Sequence, residues 1–359
     1  MSKGEVSHYN KVTLKKEQSS SNQSRNFPLL TELTPQEEIT SKAYSLTSNQ
    51  YNQHLPLPFP LRLSNNVWLL GHHSSKSFGA FPYFVKGYHK GKNVSIIVDV
   101  PKYSPSAVRA ISSLLEQNQQ DAKHNDEERV ISVVDYMFLT HVDDTAQHND
   151  WKNEYPTLKR IFHSGDLDRH NWIGDTSLEH VEVLLDGNSV FDNGKRIITM
   201  KVYSLDGHHH FDLDLSELNE EGLNERISNL MIEIDSDFLI LHTPGHSQGS
   251  ISLLFNSQKR LNSDFDGGTI FTGDTYAYST RNGGHMSGFP RYGNDLAMQE
   301  STLKCIGQLS NTFDCVAPGH GHVRNYRIMD SDQVYETKQK DIADAVNELL
   351  DFAGRKVSR

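Results

Sequence analysis

Four short apolar runs, each ending in histidine, aspartate or glycine, constrain this chain more than any other feature. They are Phe138-Leu139-Thr140-His141-Val142-Asp143-Asp144, Leu239-Ile240-Leu241-His242-Thr243-Pro244-Gly245-His246, Ile270-Phe271-Thr272-Gly273-Asp274 and Val316-Ala317-Pro318-Gly319-His320-Gly321-His322. Runs this short and this apolar read as buried strands rather than helices. Ligand-type side chains at strand ends can converge at one edge of a sheet, held by rigid elements. The glycines beside them let the backbone turn sharply where each strand stops. A chain with four such segments needs a sheet whose functional loops open on one side.

The rest of the sequence supplies that sheet and its cover. Further strands are expected at Val67–Leu70, Tyr83–Val85, Val94–Val98, Val181–Leu185, Ile197–Val202, Ile251–Phe255 and Thr269–Phe271. Ser104 followed by Pro105 is a helix start, and Val108, Ile111, Leu114 and Leu115 recur at helical spacing, so 105–118 reads as a helix. The same spacing marks 294–309 and 332–352, and a helical stretch is expected from about 144 to 153. Gln117–Arg129 and Asp206–Gly222 are polar and read as loops, and Gly187–Gly194 reads as a hairpin. Short strands interleaved with helices give an α/β architecture with a mixed sheet. Residues 1–50, with the polar run Gln18 to Ser24, read as a disordered tail. Residues 51–325 are expected to form one domain, and 326–359 a C-terminal helical extension of it.

The strand-end residues make a candidate ligand set. In an extended chain His141 and Asp143 point to one side. A helix begun at Asp143 or Asp144 would set Asp144 and His148 on one face. His246, Asp274 and His320 complete a set of imidazoles and carboxylates without thiolate, which suits zinc, iron or manganese. Each piece has a plain structural reading as well: Asp143 or Asp144 as a helix N-cap, Thr243-Pro244-Gly245 as a turn, His320 and His322 as loop histidines. The joint occurrence at four strand ends favours a shared metal site.

Composition removes several classes. The 359 residues carry 46 Asp+Glu against 35 Lys+Arg, a net charge of −11. A surface that tracks phosphates needs clustered cations, so nucleic acid is not an expected partner. No run approaches the roughly 18 apolar residues that span a bilayer, so no membrane segment is expected. Cys305 and Cys315 are the two cysteines, which excludes a disulfide framework or a four-cysteine cluster and points to a reducing, cytoplasmic compartment. The N-terminus lacks the apolar stretch of a secretion signal. Lys3, Lys11, Lys15, Lys16 and Arg25 leave organellar targeting open, with Glu5 and Glu17 against it. The expected partner is a small-molecule substrate; oligomeric state is not set by the sequence.

Thr140-His141, Thr243-Pro244-Gly245-His246-Ser247-Gln248-Gly249-Ser250, Phe271-Thr272-Gly273-Asp274 and Pro318-Gly319-His320-Gly321 resemble, in order, the motifs of the metallo-β-lactamase superfamily. The resemblance spans about residues 60–325 and is most specific around His246. It implies an αββα sandwich with mixed sheets and metal at one sheet edge. It implies His141 and His246 on a first metal, Asp274 bridging and His320 on a second. The first motif departs from the family pattern His-x-His-x-Asp-His, because the same register gives His141, Asp143, Thr145 and Ala146. The resulting His-x-Asp-Asp-x-x-x-His is similar to a divergent plant and cyanobacterial branch. Flavodiiron-type members also place a carboxylate at the third position, so iron or manganese stands beside zinc, with one or two ions. Asp143, Asp144 and His148 then join the metal set, and Asp274 and Asp144 are the expected catalytic carboxylates. The implied activity is hydrolysis of an ester, thioester or lactone by a metal-bound hydroxide.

Two rivals use the same residues. Gly245-His246-Ser247-Gln248-Gly249 fits G-x-S-x-G, which would make Ser247 the nucleophile of a serine hydrolase with Asp274 and His320 following in order. That elbow needs a helix directly afterwards, whereas Ser250 to Phe255 reads as a strand. With its first motif altered, the chain could instead be a catalytically inactive lactamase-fold binding protein. Outside these motifs, His72 and His73 read as a solvated turn, His163 as a structural histidine and His208-His209-His210 as a surface loop. Arg281–Arg291 reads as a plain loop or a substrate entrance, and Trp151 and Trp172 are expected to pack.

Overall fold

Alternation within the strands explains the layering of this computed structural model. In Phe238–His242, Phe238 and Ile240 face one way and Leu239 and Leu241 the other, and all four are buried. Tyr83 and Val85 likewise oppose Phe84 in Tyr83–His89. Strands apolar on both faces need cover on both sides, which two stacked sheets flanked by helices supply.

The structure describes residues 59–121, 133–192, 196–216, 218–257, 268–279, 285–328 and 331–357, with two short strands at Leu14–Lys15 and Leu29–Leu30. The first sheet runs in the spatial order Leu14–Lys15, Leu29–Leu30, Leu61–Arg62, Val67–Leu69, Tyr83–His89, Lys92–Val98, Tyr136–Phe138, Lys159–His163 and Val183–Leu185. Its last four strands are parallel. The second sheet runs Val190–Asp192, Arg196–Tyr203, Phe238–His242, Ile251–Phe255, Thr269–Gly273, Cys315–Pro318 and Arg324–Asn325, with His210–Asp214 also paired to Arg196–Tyr203.

Three buried clusters define four layers. Val85, Ile96, Phe138, Ile240, Leu253 and Phe271 belong to the cluster between the sheets. Outside the first sheet, Phe84, Ile97 and Phe162 pack on Ile111 and Leu114 of the helix Pro105–Asp121 and on Trp151 of the helix His148–Glu154. Outside the second, Leu239, Leu254 and Val316 pack on Leu230 of Glu220–Glu233, Ile306 of Leu296–Gln308 and Ala345 of Ser331–Val357. This is the expected αββα sandwich with mixed sheets.

Some expectations change. Asp206–Gly222 is not a loop. His210–Asp214 is a sheet strand, and the helix Glu220–Glu233 begins inside the segment. The alternation Phe211, Leu213 among charged residues was its signal, masked by the overall polarity. His210 opens this strand; His208 and His209 are exposed in the turn before it. The first helix runs on through Gln117 to Asp121. The helical stretch expected from 144 is broken: a short turn at Val142–Asp144 ends before His148 starts the helix. Apart from the two short strands, the expected tail over 1–50 lies outside the described residues, as does most of the expected loop after Asp121. Among the described residues no helix is long and apolar enough to cross a membrane.

Strand direction then fixes where the chemistry sits. Thr269–Gly273 and Cys315–Pro318 are parallel neighbours, with Gly273 opposite Pro318, so Asp274 and His320 leave the sheet side by side. Phe238–His242 reaches Thr269–Gly273 through two antiparallel pairings, which restores the same direction and brings His246 to the same end. The first sheet joins there, because Ile251 N–H donates to the Thr140 carbonyl at 2.9 Å.

Candidate metal centre

Asp274 lies at the centre of the strand-end residues and faces two ways. Its Oδ2 is 3.9 Å from His141 Nε2 and 3.7 Å from His246 Nε2. Its Oδ1 is 2.7 Å from His320 Nδ1. Asp143 Oδ2 closes the first group, 3.7 Å from His141 Nε2 and 3.8 Å from His246 Nε2. Asp144 closes the second with Asp274 and His320, the three offering atoms within 4.8 Å of one another. His141, His246 and Asp274 meet the same criterion.

The spacings suit a cation. Atoms 3.7–3.9 Å apart are too far for hydrogen bonds. Ligands about 2.1 Å from a shared centre stand roughly 3–4 Å from each other. His141 Nε2 and both carboxylate oxygens of Asp144 are buried without a hydrogen-bond partner. Such groups are costly unless something pairs with them. A Cβ added at Gly319 would come within 2.9 Å of Asp144 Oδ2 and 3.0 Å of Asp274 Oδ1, so glycine keeps the space between these carboxylates open. The residues therefore fit a divalent metal.

Buried neighbours set the imidazole tautomers. Thr140 donates its N–H and its hydroxyl to Asp99 Oδ1, at 2.9 and 2.8 Å. With its proton committed, the Thr140 oxygen accepts from His141 Nδ1–H at 3.0 Å, leaving Nε2 free to bind a cation. Burial pushes the Asp99 carboxyl up to about 6. In the second group His320 Nε2 donates to the Phe78 carbonyl at 3.2 Å, which turns Nδ1 toward Asp274. Asp166 ties two motifs together: it accepts from Val142 N–H at 3.0 Å, Gly249 N–H at 2.6 Å and the Ser247 hydroxyl at 2.7 Å. The sequence reading missed Asp99 and Asp166. Asp99 had a signal, since Val94–Val98 is a fifth apolar strand ending in aspartate. Asp166 lies in a polar turn with none.

Other histidines take different places. His148 stands outside both groups, a correction to the helical-face reading. Its Nδ1 accepts from Arg160 at 3.1 Å, so Nε2 carries the proton and donates toward Asp175 at 3.1 Å. The physical reason is the broken helix: Asp144 and His148 never share a helical face. His72 and His73 are buried rather than in a solvated turn, and His73 Nδ1 serves the Gly79 and Ala80 carbonyls at 2.9 and 2.8 Å. His163 is structural, stacked on His242 with ring centroids 4.5 Å apart. Trp151 is buried as expected, but Trp172 is 49% exposed and donates its indole N–H to Asp143 Oδ1. Ser247 is fully buried, its hydroxyl is held by Asp166, and the strand Ile251–Phe255 follows, so no nucleophile elbow forms.

Electrostatics show protons standing where a cation would. Burial works against a charged His141, but Asp144 and then Asp143 and Asp274 outweigh it and hold the imidazole well above its usual range. His320 is raised to about 10 in the same way, against burial, by Asp274 and Asp144. Against the upward push of burial, the charge of His141 and the Trp172 indole N–H hold Asp143 below the carboxylate range, and the charge and hydrogen bond of His320 hold Asp274 there. Cation loading at pH 7 should therefore release at least the two protons of His141 and His320, so affinity rises with pH. Raised histidines stabilise the fold fully below about 6.5 and lose that contribution as pH climbs through the folded value. The lowered carboxylates are ionised in both states there and add no slope. The chelated protein should thus lose melting temperature between pH 6.5 and 10, and the loaded protein should not. Calorimetry in buffers of different ionisation enthalpy and melting curves check both; proton-neutral loading would refute the assignment.

No family model matches the chain, and no curated protein matches it. Solved structures similar to it include the metallo-β-lactamase FIM-1 from Pseudomonas aeruginosa in its mono-zinc form, at 14% identity and TM-score 0.40, covering 79% of this chain and 94% of that one. A β-lactamase domain protein from Burkholderia ambifaria gives 14% identity and TM-score 0.42 over 88% and 82% of the two chains. The inverting sec-alkylsulfatase Pisa1 from Pseudomonas sp. gives 8% identity and TM-score 0.45, covering 83% of this chain and 42% of that one. By its own layers and strand order, this chain is an αββα sandwich of two mixed sheets whose motif-bearing strand ends open on one side.

Proposed function

We propose that the chain is a metal-dependent hydrolase of esters, thioesters or lactones. The observation that carries this reading is the sharing of Asp274 between two ligand groups, through Oδ2 to His141 and His246 and through Oδ1 to His320. His141, Asp143, His246 and Asp274 would hold a first divalent cation, and Asp144, Asp274 and His320 a second. A bound cation supplies the Lewis acidity that makes water a nucleophile at neutral pH and polarises a carbonyl oxygen. The chain's own residues do the rest. Thr140 and Asp99 keep the proton of His141 on Nδ1. The Phe78 carbonyl keeps that of His320 on Nε2. Asp166 fixes the first motif against the loop that carries His246. Asp274 joins the two groups, and buried Asp144 stands beside it at the second.

The test is to purify the protein without added metal, strip it with chelator, and reload it with zinc, iron(II) or manganese. Turnover of a panel of simple esters, thioesters and lactones should appear on loading, vanish with chelator and ignore a serine-directed fluorophosphonate. Protein that holds less than about a tenth of an equivalent of any of these metals and turns nothing over would be a binding protein instead.

A further inference from the structure

We propose that Phe78 and Trp172 form an aromatic rim that binds the apolar group of an uncharged ester or thioester, so that the site prefers medium-length or longer acyl and aryl chains. The inference rests on the hydrolase reading and names its substrate class.

The exposed aromatic side chains are not scattered evenly. Phe78 is 67% exposed, Trp172 49% and Tyr292 61%. All three sit on loops tied to a ligand residue. The Phe78 carbonyl accepts from His320. The Trp172 indole donates to Asp143. The Tyr292 loop reaches back through Asn294 N–H to the His246 carbonyl at 3.1 Å. Among the described residues, the other large exposed apolar residues, the aromatic Tyr335 included and Ile173 beside Trp172 excepted, lie on regular strands and helices, which is ordinary for a protein surface. Exposed apolar side chains carried on loops bonded to a polar site are placed to line a ligand groove.

Both loops are held in place. Phe78 has φ +49°, a left-handed conformation that a bulky residue adopts only where its surroundings enforce it. Buried His73 clamps the Gly79 and Ala80 carbonyls just after it, and the Ser77 hydroxyl accepts from Ala146 N–H at 3.2 Å. On the other side, His148 and Ser177 fix Asp175, three residues beyond Trp172. Thus His148 is a positioning residue for this loop. Rigid presentation lowers the ordering cost of binding. The two residues stand at the ends of the chain of contacts Phe78, His320, Asp274, His141, Asp143, Trp172, Phe78 through its backbone carbonyl and Trp172 through its indole.

Charge argues for an uncharged substrate. Asp143 stands where the family motif has histidine, so the ligand groups balance three imidazoles with three carboxylates. The extra negative charge weakens the pull on anionic substrates such as phosphate esters.

The experiment uses the full-length metal-loaded protein with p-nitrophenyl octanoate and acetate. The octanoate-to-acetate ratio of kcat/KM should fall about tenfold in Phe78→Ala and in Trp172→Ala, mainly through a higher KM for octanoate. A second readout needs neither turnover nor a variant. Trp68 and Trp151 are buried, so Trp172 is the exposed one of three tryptophans. Its emission should shift saturably with octanamide and not with acetamide. Chelator-sensitive turnover with an unchanged ratio in both variants, or emission indifferent to octanamide, overturns the rim and leaves the hydrolase standing. An octanamide response in a protein that turns over no ester sinks the hydrolase reading and keeps the rim.

Discussion

Asp274→Ala should lose both metal equivalents and at least about a thousandfold in kcat/KM. One carboxylate serves two groups of ligands here, so its removal takes a ligand from each. It also removes negative charge from the centre of the site, which weakens the attraction for a cation. His320→Ala makes the contrast: it removes a ligand only from the Asp144 group, so about one equivalent should survive. Metal content by elemental analysis and turnover on the best ester of the panel read both variants. A folded, metal-free Asp274→Ala protein with full activity would leave the metal with no part in the chemistry.

The sequence was most readable where local pattern and chemistry coincide. His141, His246, Asp274 and His320 each follow a strand whose apolar run is plain, and the structure brings these ends together because parallel and twice-antiparallel neighbours share a direction. The layering was legible for the same reason, since runs such as Phe238–Leu241 are apolar on both faces. Spacing misled at His148. Four residues place Asp144 and His148 on one face only if a single helix contains both, and the turn at Val142–Asp144 does not continue into the helix. Burial misled at His72 and His73, because polar residues in loops read as solvated until the partners that bury them are known, and Asp166 went unread for want of any local signal. Trp172 erred the other way: an indole expected to pack stays exposed, and its N–H finds a ligand carboxylate instead of a core partner.

Gly245→Ala should be the most damaging small substitution at the His246 motif. Gly245 has φ +134°, a conformation that side chains rarely adopt. An added Cβ would lie 2.4 Å from both the N and the Cα of Gln299, backbone atoms that cannot rotate away. That backbone belongs to the helix Leu296–Gln308, which is bound to the motif at several points: the Gly245 carbonyl accepts from Asp295 N–H at 2.9 Å, and the Thr302 hydroxyl donates to the Pro244 carbonyl at 2.7 Å. Relief requires the helix to move away from the sheet end or the motif to change shape, and either moves His246. We expect a loss of about 3 kcal/mol or more, a fall of roughly 5–10 °C in Tm, together with weaker metal binding. Gly79→Ala separates the two causes. Gly79 also has positive φ, at +85°, but nothing lies within 4 Å of its added Cβ, so only the backbone term of about 1 kcal/mol applies. If melting curves show equal losses for the two variants, the close approach of helix and motif is not what holds His246 in place.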